Sequence, residues 1–184
     1  MEYHTLEICG LTRKLPLIYV GKKTRLASFL ILGDVELVNA LADIIAKELK
    51  KIDFDYLVSP EVKVVPLTHG VALRLGHKRF VVCRKSIKPY MISPIKINPL
   101  SHFPKHATPL VIDGVDAERL QGKRVVILDD IISSGVTMRM MTHLLSKVGA
   151  TVVSYFAVIK QGEQFDQLQN LEFLAEIPIF KEEG

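Results

Sequence analysis

Two adjacent carboxylates, followed by a run of hydroxyls around a glycine, mark one stretch of the chain: Asp129-Asp130-Ile131-Ile132-Ser133-Ser134-Gly135-Val136-Thr137. The apolar run Val125-Val126-Ile127-Leu128 leads into it and predicts a buried strand. Beyond it, the spacing of Met140, Met141, Leu144, Leu145 and Val148 predicts a helix over 136–148, stopped at Gly149. Ser133 to Thr137 thus sit at the entrance to a helix, where free backbone N–H groups and the helix dipole favour an anion. Three hydroxyls and a glycine give that loop the composition of a phosphate cradle. It has neither the Lys of a Walker loop nor the triple glycine of the dinucleotide fingerprint. The two aspartates, just past a strand's carboxyl end, would point into a ligand site. A helix N-cap plus a solvated turn acid is the simpler alternative.

The elements that must position these residues follow a repeating pattern. From Asp34 to Lys51, Val35, Leu37, Val38, Leu41, Ile44, Ile45 and Leu49 recur at helical spacing, with Asp34 as the N-cap. A short apolar strand, 55–60, closes at Pro60 and is followed by a helical run from Thr68 to Leu75 that Gly76 ends. Residues 79–83 read as another strand, 84–109 as a long loop with five prolines, and Thr151 to Ile159 as a further strand. Strands alternating with helices predict an α/β fold, a mostly parallel twisted sheet flanked by helices.

The thirteen residues from Val125 to Thr137 resemble the signature of type I phosphoribosyltransferases for phosphoribosyl pyrophosphate (PRPP): four apolar positions, Asp-Asp, two apolar, two small hydroxyl residues, Gly, a variable position and Thr. The likeness is closest to the adenine and xanthine branches. It implies a Rossmann-like core over about 34–160, a small hood from about 1–33 and 161–184, and a long flexible lid, all in one domain. It also implies that Ser133, Ser134, Gly135, Val136 and Thr137 hold the ribose 5′-phosphate and that Asp129 and Asp130 meet the ribose hydroxyls. The carboxylates suit such chemistry, because departure of pyrophosphate leaves positive charge on the ribose.

Departing pyrophosphate calls for cations opposite the acid pair. Glu61-Val62-Lys63-Val64 resembles the pyrophosphate loop of adenine phosphoribosyltransferases, with Val64 in place of a glycine whose unusual backbone geometry a β-branched residue tolerates poorly. Residues 80–89 resemble the strand that ends in Arg-Lys and opens the lid. Between Arg84 and Ile112 the charged residues are Arg84, Lys85, Lys88, Lys96 and Lys105, with no acid among them. The resemblance therefore assigns pyrophosphate to Lys63, Arg84, Lys85 and Lys88. It assigns Mg²⁺ as cofactor, held mainly through PRPP, with Asp129 or Asp130 as the chain's own candidate ligands.

At 184 residues and 48 % hydrophobic, the chain is of one-domain size, and a mild formal charge of +4 suits a small anion as well as nucleic acid, of which the resemblance favours the small anion. Cys9 and Cys83 lie at no metal or disulfide spacing and read as buried reduced thiols. With neither a signal peptide nor a membrane span, a soluble cytoplasmic protein is expected, and the family implies a homodimer. His69, His77, His102 and His106 have no motif-like partner and receive no role. Leu26 to Ile31 faintly resembles a base-reading segment, but with Ile31 where an asparagine would stand; Lys160 replaces an expected acid. The expected function is purine salvage: transfer of ribose 5-phosphate from PRPP to a purine, adenine favoured. The alternative is a PRPP-binding regulator of the same fold.

Overall fold

A computed structural model describes residues 1–99, 107–162 and 168–181. At its centre is a five-stranded parallel sheet built from β4 (Tyr56–Pro60), β5 (Val81–Cys83), β8 (Arg124–Ile132), β9 (Thr151–Gln161) and β10 (Leu171–Ile177), in the order β10-β9-β8-β4-β5. Side chains alternate across such a sheet, and both faces are apolar. Leu57, Val126 and Leu128 face one core with α1 (Val35–Leu49) and α2 (Val65–Leu75). Val58, Val125 and Ile127 face the other with α3 (Gly114–Leu120) and α4 (Val136–Lys147). The expected α/β architecture is present.

Local signals set the boundaries. Asp34 caps α1 by accepting the Leu37 N–H at 3.0 Å, and Leu37, Leu41, Ile45 and Leu49 bury the helix against the sheet, each worth roughly 1.5–3 kcal/mol. Gly76 ends α2 at φ 75°, a left-handed turn that a glycine makes without strain. Ahead of α2, helical structure starts at Val65, earlier than the expected Thr68, because Pro66 fits the first turn of a helix.

The terminal segments divide differently from the sequence expectation. β1 (Tyr3–Ile8), β2 (Leu11–Tyr19), β3 (Thr24–Ala27) and β11 (Phe180–Lys181) form a separate four-stranded antiparallel sheet, the hood. β10, expected in that hood, instead extends the core sheet beside β9. The long proline-rich segment has short structure at its root: β6 (Ile95–Ile97) and β7 (Leu110–Ile112) pair antiparallel, and Arg84 bridges Val111. Among the described residues, no helix is long and apolar enough to cross a membrane.

Hood and core are tied by charge. Arg13 on β2 reaches Asp34 at 2.7 Å and Glu36 at 2.7 Å; the two acids raise its pKa further, and Arg13 in turn lowers that of Asp34. Asp34 therefore does two jobs. Asp34→Ala should lower stability by about 1–2 kcal/mol, read as a urea midpoint, while Asp34→Asn, which keeps the cap, should lose clearly less.

Candidate functional site

Pairing between β4 and β8 stops early. Tyr56, Leu57 and Val58 pair with Val125, Val126 and Ile127, after which Ser59 and Pro60 pair only with β5 while β8 continues along β9. The two strands part where the winding of the sheet reverses, and such a reversal opens a crevice at the strands' carboxyl ends. A cavity of about 330 Å³ lies there, lined by Pro60, Glu61, Val62, Lys63, Val64, Lys85, Asp129, Asp130, Ile131 and Thr137.

Both aspartates lie within β8 itself, which runs on to Ile132 instead of ending at Leu128. They are 6 % and 7 % exposed. Asp129 accepts the Asp130 N–H at 2.8 Å and Asp130 the Ile131 N–H at 3.0 Å. Asp130 Oδ2 is buried with no hydrogen-bond partner among the described residues. Burial, then the neighbouring Asp130 charge, pushes the Asp129 pKa well above the usual carboxylate range, and the Asp130 N–H and Lys63 only partly offset this. A solvated turn acid is not what the structure contains.

The hydroxyl loop follows directly. Gly135 is the N-cap of α4 with φ 59°, and no side chain caps that end, so the first-turn N–H groups are not satisfied by a cap. A second, smaller concavity of about 50 Å³ is lined by Asp129, Ser133, Ser134, Gly135, Val136 and Thr137 among others. Asp129, Ile131 and Thr137 border both spaces, so an anion in the loop and a group in the crevice would be neighbours.

On the opposite wall the four expected pyrophosphate contacts separate. Lys63 and Lys85 line the crevice with the acid pair. Arg84 does not: its Nη1 donates to Glu61 at 3.0 Å and its Nη2 to the Tyr90 hydroxyl at 2.6 Å. Lys88 donates to Ser86 Oγ at 2.8 Å. Glu61, which the sequence placed in the loop motif without a role, also accepts the Lys85 N–H at 2.8 Å. Burial opposes its ionisation, but that N–H and the Arg84 guanidinium prevail and lower its pKa. An acid two residues before Lys63, with an Arg-Lys pair opening an acid-free segment further along, was the signal for this link. The expected backbone difficulty at Val64 does not arise. It adopts φ −85° and ψ −9°, an ordinary helical conformation, and its side chain is a core residue, 1 % exposed; the peptide between Glu61 and Val62 is cis.

The remaining sequence candidates lie elsewhere. His69 and His77 pack against Phe80 and Phe54 at the far end of α2, and Lys105, His102 and His106 fall outside the described residues. Ile31 is fully buried in the core, which removes it from any base-reading role. Lys160 pairs with Glu176 on β10 at 3.3 Å and lies over the Phe173 ring. Both cysteines are free; Cys83 is buried, its thiol pushed up to about 12 by burial, whereas Cys9 is only half-buried. For a divalent cation, no three His, Cys, Asp or Glu side chains converge among the described residues. The acid pair and the orphaned Asp130 Oδ2 do fit a Mg²⁺ ion that takes one or two carboxylates and completes its shell with phosphate oxygens and water.

A sequence model of the phosphoribosyl transferase domain matches residues 33–173. The chain is 29 % identical over 136 residues to a hypoxanthine/guanine phosphoribosyltransferase of Methanohalophilus mahii, a match covering 73 % of this chain and 66 % of that protein, just under two thirds of its length. It is 30 % identical over 131 residues to an adenine phosphoribosyltransferase of Thermosipho melanesiensis, covering 71 % of each. Among solved structures, an adenine phosphoribosyltransferase from Thermoanaerobacter pseudethanolicus shares the fold, with a TM-score of 0.71 at 23 % identity over 89 % of this chain and 95 % of that one.

The raised Asp129 pKa has a sign that can be measured. Between the unfolded and folded pKa values the folded protein holds a proton that the unfolded chain has lost, so this group's contribution to stability falls as pH rises out of the carboxylate range. Asp129→Asn should therefore stabilise the ligand-free protein at pH 7 by roughly 1–2 kcal/mol, with the gain shrinking toward pH 4 in urea titrations.

Proposed function

The chain belongs to the phosphoribosyltransferase family, and from that premise we propose that it transfers the 5-phosphoribosyl group of PRPP to a purine, releasing pyrophosphate, in nucleotide salvage. One observation carries the reading: a buried carboxylate pair, with Asp130 Oδ2 unsatisfied among the described residues, lies between a hydroxyl loop at the start of α4 and a wall bearing two lysines. A PRPP molecule has the same order of groups, with a 5′-phosphate, a ribose and a pyrophosphate.

In this arrangement Ser133, Ser134, Thr137 and the N–H groups entering α4 take the 5′-phosphate. Asp129 and Asp130 accept hydrogen bonds from the ribose hydroxyls. As the C1′–O bond to pyrophosphate breaks, pyrophosphate leaves with the bonding electron pair, and the carboxylates stabilise the cationic ribose until a purine nitrogen forms the new C1′–N bond and gives up its proton. Lys63 and Lys85 face the departing anion. Mg²⁺ at the acid pair would neutralise pyrophosphate charge.

Adenine is the favoured acceptor, supported by the relative of that activity and by the shared fold. A second reading, a 6-oxopurine, draws support from the hypoxanthine/guanine relative.

Pyrophosphate release from PRPP with Mg²⁺, measured with adenine, hypoxanthine, guanine and xanthine in turn, should show turnover with one class of base. Saturable PRPP binding without turnover on any of them would instead support the regulator reading. Asp129→Asn and Asp130→Asn should each lower kcat by at least several tens-fold if the carboxylates act on the transition state.

A further inference from the structure

Glu61 occupies a paradoxical position: a carboxylate on the rim of a crevice that, on the reading above, receives a multiply charged anion. Its geometry removes the paradox. Both oxygens are occupied, Oε1 by the Lys85 N–H at 2.8 Å and Oε2 by Arg84 Nη1 at 3.0 Å. Its own N–H donates to the Cys83 carbonyl at 2.9 Å, so main chain and side chain together fasten the loop of residues 61–64 to the end of β5. Arg84 is fixed from the other side by Tyr90, whose hydroxyl accepts from Nη2 at 2.6 Å and whose ring lies 6.0 Å below the guanidinium. The Glu61 side chain is 16 % exposed and that of Arg84 35 %, so water screens this pair only in part.

We propose that Glu61 is a positioning residue for pyrophosphate recognition, and that Arg84 acts through Glu61 instead of touching the ligand. This rests on the phosphoribosyltransferase reading and deepens it. Glu61 orients the Lys85 main chain, which carries that lysine into the crevice opposite Asp129 and Asp130 alongside Lys63. Arg84 neutralises Glu61, so the anchor adds no net negative charge where pyrophosphate binds. The adjacent Arg-Lys pair thereby divides its work, with one cation spent on an internal acid and the other available to ligand.

Charge and position predict opposite outcomes for one substitution. Removing the Glu61 charge should tighten an anion if electrostatics alone matter, and should loosen it if anchoring matters. PRPP affinity with Mg²⁺ is measured by calorimetry for wild type, Glu61→Gln, Arg84→Met and the double variant, with thermal melts to confirm folding. Glu61→Gln should weaken binding about tenfold, and in turnover should raise KM for PRPP with kcat within about twofold. The double variant should bind no more weakly than Arg84→Met alone. Unchanged or tighter binding by Glu61→Gln overturns the inference, as does a double variant whose losses add, since Arg84 would then contact ligand independently. A wild-type protein that fails to bind PRPP overturns the underlying reading as well, an outcome distinct from either of these.

Discussion

Two carboxylates held side by side, each more than nine-tenths buried, set the terms for the rest of this molecule. Desolvation alone disfavours their charge, and adjacency adds repulsion, so the folded chain must surround them with compensating groups or let one keep its proton. The compensation is partial: two backbone N–H groups, the distant field of Lys63 and an Asp130 oxygen with no partner. The pair sits on the central strand, whose backbone is held on both sides before β4 turns away, so it cannot relax into solvent without breaking the sheet. Stability is reduced at this point and binding capacity is what results.

That arrangement explains the spacing of the other charges. The hydroxyl loop needs no cation, because the α4 terminus supplies donors, and the cations are collected on the far wall where a leaving anion would accumulate. Arg84 shows that a basic residue near such a wall need not face it; the deciding factor is which acid it meets first.

Much of the core was legible in the sequence because its signals are local. The apolar spacing of Leu37, Leu41, Ile45 and Leu49 and the cap at Asp34 needed no knowledge of the fold, nor did the thirteen-residue run that ends at Thr137. What was missed depended on partners far along the chain. β6 and β7 are three residues each and exist through pairing with one another. β10 is an edge strand whose exposed Glu172 and Phe173 obscure its alternation, so it read as part of the hood. The Glu61 to Arg84 link spans 23 positions, and the acid that meets Lys160 is visible only once β9 and β10 are in register. Val64 was misjudged for a different reason: a motif position was read as a backbone conformation, and the chain takes an ordinary one there.

The hood is a sheet of its own, joined to the core by the Arg13 cluster and by Gln161 Nε2, which donates to the Ala27 carbonyl at 3.1 Å. The residues proposed to engage PRPP all hang from the carboxyl ends of β4, β5 and β8 and from the start of α4, with none of them on β1, β2, β3 or β11. The donor site is thus carried on the core sheet, while the hood shares that sheet's apolar core through Leu6, Ile8, Leu15 and Ala27. A substitution on a hood strand therefore alters none of the residues proposed to engage PRPP, and its effect on them travels through that shared core.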